Sequence, residues 1–251
     1  MFTLNFPIWL PDEHTFFDNN QYPVPSLPNG LSFGCFDHKG SPLVLRITGF
    51  LTEQDALDFC PTLRTAIRVA SLDSDHSIIP SDAAPASSTE KNFDGSVPTV
   101  IPAAVQALPY YLSSSRKIGV HISVLSKLIG AALVQGMAPK VSAKPELALA
   151  LELYASCQFA GQRDAQFIAL MTALEILVPN NSSNGRRGAV VALVKSALAK
   201  AGHIDPKSVG KELDRLYVVR NALVHQGKAI TKADLESLNG IVRTTLKALL
   251  A

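Results

Sequence analysis

The spacing of apolar positions changes character part-way along the chain. Leu31–Phe36 and Pro42–Phe50 (PLVLRITGF) are apolar runs of strand length, and Asp37 to Gly40 between them are turn residues, so two strands are predicted. The segment before them carries Pro7, Pro11, Pro23, Pro25 and Pro28 and reads as one short strand followed by irregular chain. At Thr52 the period becomes helical, with Ala56, Phe59, Leu63, Ile67 and Ala70 on one face. Thr52 and Asp55 have capping-box spacing, and Pro61 is expected to bend or delay this helix. Residues 73–99 form a stretch of low hydrophobicity, predicted to be a long mobile loop. Residues 101–139 are apolar but broken by proline, which predicts short helices.

From Pro145 onward the pattern is regular. Helices are predicted over Glu146–Gly161, Asp164–Val178 and Arg187–Ala201, the second with Phe167, Leu170, Met171, Leu174, Leu177 and Val178 as a wide apolar stripe. A fourth begins with Asp205 as N-cap and Pro206 at the first helical position, and stops before Gly227. A fifth starts at Thr231, with Asp234 three residues on, and runs to about Leu250. Short connections between helices of similar length imply an antiparallel bundle. The predicted fold class is therefore α+β: a smaller N-terminal α/β region over residues 1–140, followed by an all-α bundle over 141–251.

Composition sharpens this division. With 47% hydrophobic residues in 251, the chain can bury a sizeable core, which excludes disorder throughout. Its net charge of +2 hides an asymmetry. Residues 1–139 carry 8 Lys and Arg against 12 Asp and Glu, a net −4, while residues 140–251 carry 15 against 9, a net +6. Only the C-terminal half is cationic enough to suggest an anionic partner. Cys35, Cys60 and Cys157 show neither CxxC nor Cys/His spacing, which argues against a disulfide framework or structural zinc and leads to the expectation of a cytoplasmic protein with no cofactor and no metal. The N-terminus lacks the basic region and cleavage site of a signal peptide, and the longest uncharged run is broken by Pro98, Pro102 and Pro109, so no membrane association is expected.

Candidate chemistry concentrates on the fourth C-terminal helix. Its apolar stripe runs Val209, Leu213, Leu216 and Leu223, with Arg220 where the period asks for a hydrophobe. Asn221 borders the stripe, and His225 follows it by one turn. At ~100° per residue Asn221 and His225 are ~40° apart, and Arg220 and His225 ~140° apart. A helix ending in RNALVHQG can also be purely structural, with His225 favourable near the C-terminal end of the dipole and Arg220 paired to an acid such as Glu175.

Arg220-Asn221-Ala222-Leu223-Val224-His225 fits the R-N-x-x-x-H form of the signature of HEPN domains (higher eukaryotes and prokaryotes nucleotide-binding). Leu153 to Pro179, with Phe167, Leu170, Ala173, Leu174, Glu175 and Leu177, resembles the first two helices of the Apea-like subgroup, where a Phe-x-x-Leu…Ala-Leu-Glu-x-Leu helix precedes a polar loop. The resemblance covers about residues 145–251, and Gly49 to Phe59 is similar, far less specifically, to regions that accompany such domains. It implies a metal-independent endoribonuclease in which the RNA 2′-hydroxyl attacks the adjacent phosphate. Arg220, Asn221 and His225 are the implied catalytic residues, working at a homodimer cleft lined by two copies of the motif. The biological setting it implies is a toxin or phage-defence effector. Many members of the family bind without cutting, so a non-catalytic nucleic-acid- or nucleotide-binding module, or a dimerisation module, is the alternative. Glu175 is a candidate support residue, and Arg186 and Arg187, beside a Ser/Asn/Gly loop at a helix start, are candidate RNA-binding residues. The N-terminal region is expected to meet a regulatory partner or trigger.

Overall fold

In a computed structural model of the chain, the described residues are 2–9, 14–17, 27, 30–36, 43–74, 79–80, 86–89, 118–157, 162–179, 185–202 and 205–251. They fall into two compact units, Met1–Lys140 and Val141–Ala251.

The first unit is built on an antiparallel sheet. Strands β1 (Phe2–Trp9), β3 (Ser32–Phe36) and β4 (Leu43–Phe50) lie in the order β3-β4-β1, and β5 (Ile79–Pro80) and β6 (Ala86–Thr89) both add to β1. The segment 73–99, expected as a loop, thus contributes two short strands, because β1 offers backbone groups that local sequence does not reveal. A separate parallel pair joins β2 (His14–Phe17) to β7 (Ile118–His121). The turn expected at Asp37 to Gly40 lies outside the described residues. Register places Leu4, Phe6 and Ile8 of β1 beside Leu45 and Ile47 of β4, and all five are buried. Between Phe2 and Thr3 that register shifts past Gly49, whose φ of 109° favours glycine; an added Cβ would also sit 3.2 Å from the Gly30 carbonyl oxygen.

Thr52 caps α1 (Glu53–Asp58) with the reciprocal Thr52–Asp55 capping box. The helix predicted from Thr52 divides at Phe59 into α1 and α2 (Cys60–Ala70), and Pro61 occupies the first turn of the second, where its missing N–H costs nothing. Leu63, Ala66, Ile67 and Ala70 of α2 complete this core with Leu125 and Ile129 of α3 (Ile122–Val134). Short α4 (Met137–Ser142) follows. The short helices expected in 101–139 are therefore one strand and two helices where the chain is described.

The second unit is entirely helical among its described residues: α5 (Pro145–Cys157), α6 (Arg163–Ile176), α7 (Gly185–Lys200), α8 (Pro206–Gln226) and α9 (Lys232–Leu250). Phe167, Leu170, Met171 and Leu174 of α6 are buried with Leu147, Leu151 and Tyr154 of α5 and Leu238, Val242 and Leu246 of α9. Local signals set the ends of α8 and α9. Asp205 accepts from the Ser208 backbone N–H, Gly227 closes α8 at φ 65°, and Thr231 accepts from the Asp234 backbone N–H. One long-range bond adds to these: Asp164 on α6 accepts from the Ile230 backbone N–H at 2.9 Å, tying the α8–α9 connection to the start of α6. No helix among the described residues is long and apolar enough to cross a membrane.

Candidate functional site

Helix α8 turns Leu213, Leu216 and Tyr217 into the core of the second unit. The next position along this side is Arg220, which is half-buried, whereas Asn221 and His225 are exposed. Arg220 forms no ion pair among the described residues; its only hydrogen bond is a long one, Nη1 to Asn221 Oδ1 at 3.5 Å. A guanidinium drawn partly out of water without an anionic partner is costly unless a ligand supplies the anion. His225 stands in the last turn of α8, its side chain unheld by any hydrogen bond or ion pair among the described residues. A rise of ~7.5 Å and a rotation of ~140° separate Arg220 from His225, so one copy of the helix does not bring both side chains onto one spot.

Around Tyr217 the structure gathers charged groups from three helices. Tyr217 is 5% exposed and its hydroxyl is buried without a hydrogen-bond partner. Burial, and then the neighbouring Glu175 carboxylate of α6, push its pKa well above the ordinary phenol range; the charges of Arg220 and Arg186 oppose this. Glu175 comes near enough to act on the phenol but leaves the hydroxyl without a well-formed hydrogen bond. Glu175 makes no ion pair with Arg220 or His225 among the described residues. Its charge bears on Tyr217, a residue the helical period marks only as an aromatic on the stripe.

The paired arginines at the start of α7 have different surroundings. Arg186 donates from Nη2 to the Glu175 carbonyl oxygen at 3.0 Å, joining the Val178 backbone N–H that bonds the same oxygen at the end of α6. Arg187 pairs with Asp214 of α8 at 2.7 Å and lies 6.0 Å from the Tyr217 ring centroid. Asp214 already balances the Arg187 charge, while Arg186 stays close enough to act on the buried phenol. Arg186 also lines a cleft of about 530 Å³ between α5, α6, α7 and α9, together with Lys144 and aliphatic side chains such as Leu147 and Leu193; Arg220, Asn221 and His225 do not. The motif therefore lies outside this cleft.

A second polar network, not visible in the sequence, fastens α8 to α9. Arg215 bonds Glu212 and reaches Asp234 at 2.7 Å, and Ser237 donates to Glu212 at 2.7 Å. Glu212 is held below its usual pKa by the Arg215 and Ser237 hydrogen bonds, and Asp234 by Thr231 and then Arg215. The salt bridges and capping account for this network structurally. Cys157 is buried on α5, and desolvation lifts its thiol to about 12. Among the described residues no group of three His, Cys, Asp or Glu side chains gathers as a metal site would require. Compared with models of known families, with curated proteins and with solved structures, the chain matches none.

Proposed function

We propose that the second unit is an endoribonuclease of HEPN type with an antiparallel helical bundle, acting on RNA without a metal ion as a homodimer. The observation that carries this reading is Arg220: a half-buried guanidinium without an ion-pair partner among the described residues, on the same helix end as an exposed Asn221 and an exposed, unheld His225. The net +6 of residues 140–251 favours a polyanionic substrate. Exposed Val218 and Val224, beside Asn221 and His225 on α8, give two copies an apolar patch to cover.

In this reading a phosphodiester meets Arg220, whose fork of donors matches two phosphate oxygens and stabilises charge gained in the transition state. His225 takes the proton from the 2′-hydroxyl as its oxygen attacks phosphorus, the P–O5′ bond breaks, and a protonated imidazole returns a proton to the leaving oxygen. The products are a 2′,3′-cyclic phosphate and a 5′-hydroxyl. Asn221, whose Oδ1 lies 3.5 Å from Arg220 Nη1, is placed to accept from that guanidinium once it holds the phosphate. The separation of Arg220 from His225 on one helix is the reason for two copies: each His225 then works on a phosphate that the opposite copy's helix helps to hold.

Purified full-length protein should cleave single-stranded RNA in the presence of a chelator, leaving cyclic phosphate ends, and His225→Ala should remove that cleavage. RNA left intact by the wild-type dimer across varied substrates would sink the proposal.

A further inference from the structure

We propose that the Tyr217 hydroxyl, with the Arg186 and Arg220 guanidiniums, forms a phosphate subsite that grips the RNA backbone next to the reacting phosphate. The inference rests on the ribonuclease reading above for its substrate, but not for its geometry.

Three observations meet at this point. First, the hydroxyl is a buried polar group without a hydrogen-bond partner, on a residue 95% removed from water. Leaving such a group unsatisfied costs about 1–3 kcal/mol, and Phe would avoid the cost with the same shape. A tyrosine kept there calls for a role for its oxygen. Second, the phenol lies within electrostatic reach of two guanidiniums brought from different helices, Arg186 of α7 and Arg220 of α8. The third arginine, Arg187, is neutralised by Asp214 and instead packs over the ring. Third, the phenol stays protonated throughout the neutral range, so it offers a donor to an incoming oxyanion.

Access to the hydroxyl is a matter of side-chain motion. No ion pair among the described residues fixes Arg220, and a phosphate reaches the buried phenol only when neighbouring side chains such as this one move. A phosphate oxygen entering there accepts from the hydroxyl and places its charge between Arg186 and Arg220. Glu175 acts on the phenol with the opposite sign to Arg186 and Arg220. Tyr217 precedes Arg220 by ~4.5 Å and His225 by ~12 Å along the helix axis. The subsite is thus offset from His225 and takes a flanking phosphate, with Arg220 between the two. The ligand class is a single-stranded oligoribonucleotide with at least one phosphate beyond the scissile one.

The test compares Tyr217→Phe with wild type by thermal melting and cleavage kinetics, and compares His225→Ala with the His225→Ala/Tyr217→Phe pair by binding of a short oligouridylate. The expected result is an unchanged or raised Tm, about tenfold weaker oligonucleotide binding, and a KM raised by a similar factor with kcat retained, the pattern of lost uniform binding. Unchanged affinity overturns the subsite, and a lowered Tm with unchanged affinity assigns Tyr217 a structural bond to Glu175 instead. Arg186→Gln serves as a second probe should Tyr217→Phe fail to fold; unchanged oligonucleotide affinity there also overturns the subsite. If wild type cleaves nothing while the double variant still binds more weakly than His225→Ala, the ribonuclease reading fails and the subsite stands. If wild type cleaves and Tyr217→Phe matches it in KM, the subsite fails and the ribonuclease reading stands.

Discussion

The two units are stabilised over different distances along the chain. In the first, Asn5 of β1 sits opposite Arg46 of β4 on one side and Ala86 of β6 on the other, so its sheet closes only when remote segments meet. In the second, chain neighbours pack on one another, α5 on α6 and α7 on α8, and caps written within a few residues set the helix ends. Loop-closure entropy weighs on most pairings of the first unit, whereas in the second it falls mainly on α9, which closes back on α6. The lesson is about where function can be read. Chemistry on one helix of a locally determined bundle shows as a motif, whereas a site shared by distant strands would not.

The comparison can be broken most forcefully in the two cores. Each unit carries a buried thiol as reporter, Cys60 on α2 and Cys157 on α5, and both are raised in pKa by burial, so neither reacts until its surroundings open. Phe6→Ala in the sheet and Phe167→Ala in the bundle each remove a fully buried ring and should cost about 3–5 kcal/mol. Alkylation followed by mass spectrometry should show Cys60 labelled faster, by about a hundredfold or more, in the first variant, and Cys157 in the second. Equal acceleration of both thiols in either variant would make the chain one cooperative unit and remove the contrast.

Next in size is His225→Ala. Loss of a general acid–base group should lower cleavage by about 10²–10⁴-fold. Since the side chain is exposed and unheld, melting should stay within a degree or two of wild type, about 0.5 kcal/mol. A large drop in Tm with the loss of cleavage would mean that His225 acts through the fold.

Acid should separate the units more gently. Asp234 and Glu212 have folded pKa values below their ordinary ones, so their contribution to stability is present above the usual carboxylate range, near pH 4, and is lost as pH falls through the lower folded values. Glu212 is partly exposed and Arg215, the partner of both, is about half exposed, which limits the effect to about 1 kcal/mol each. Urea titrations between pH 7 and pH 3, followed by helical circular dichroism, should show this loss, and Arg215→Met should flatten it. An unaltered pH dependence in that variant would show that the α8–α9 network contributes nothing. Smallest is Asp205→Ala, which removes the α8 N-cap and should cost about 1 kcal/mol with no change in the sheet; loss of β-signal in that variant would contradict locally determined ends.

Several features were legible because their causes are local. The Thr52–Asp55 box, Asp205 with Pro206, Gly227 and Thr231 each lie beside the groups they satisfy. Strands β5 and β6 do not show in the sequence because a residue pair ending in proline and a short run of small residues become strand only beside β1. At the candidate site the spacing of Arg220, Asn221 and His225 was readable, as was the fact that Arg220 interrupts an apolar stripe. That Arg186 bonds the Glu175 carbonyl, Arg187 pairs with Asp214, and Tyr217 lies among them was not, since those partners come from other helices.

By itself the sequence determined the periods, the caps, the division between a proline-rich acidic half and a cationic helical half, and the residue types at the end of α8. Each of these follows from interactions over a few positions or from simple charge. Only tertiary structure decided which charges are matched, which are not, and which hydroxyl is buried without a partner. Burial and pairing depend on what other helices bring within a few ångströms, and that is why Tyr217, unremarkable as a letter, stands out in the folded chain.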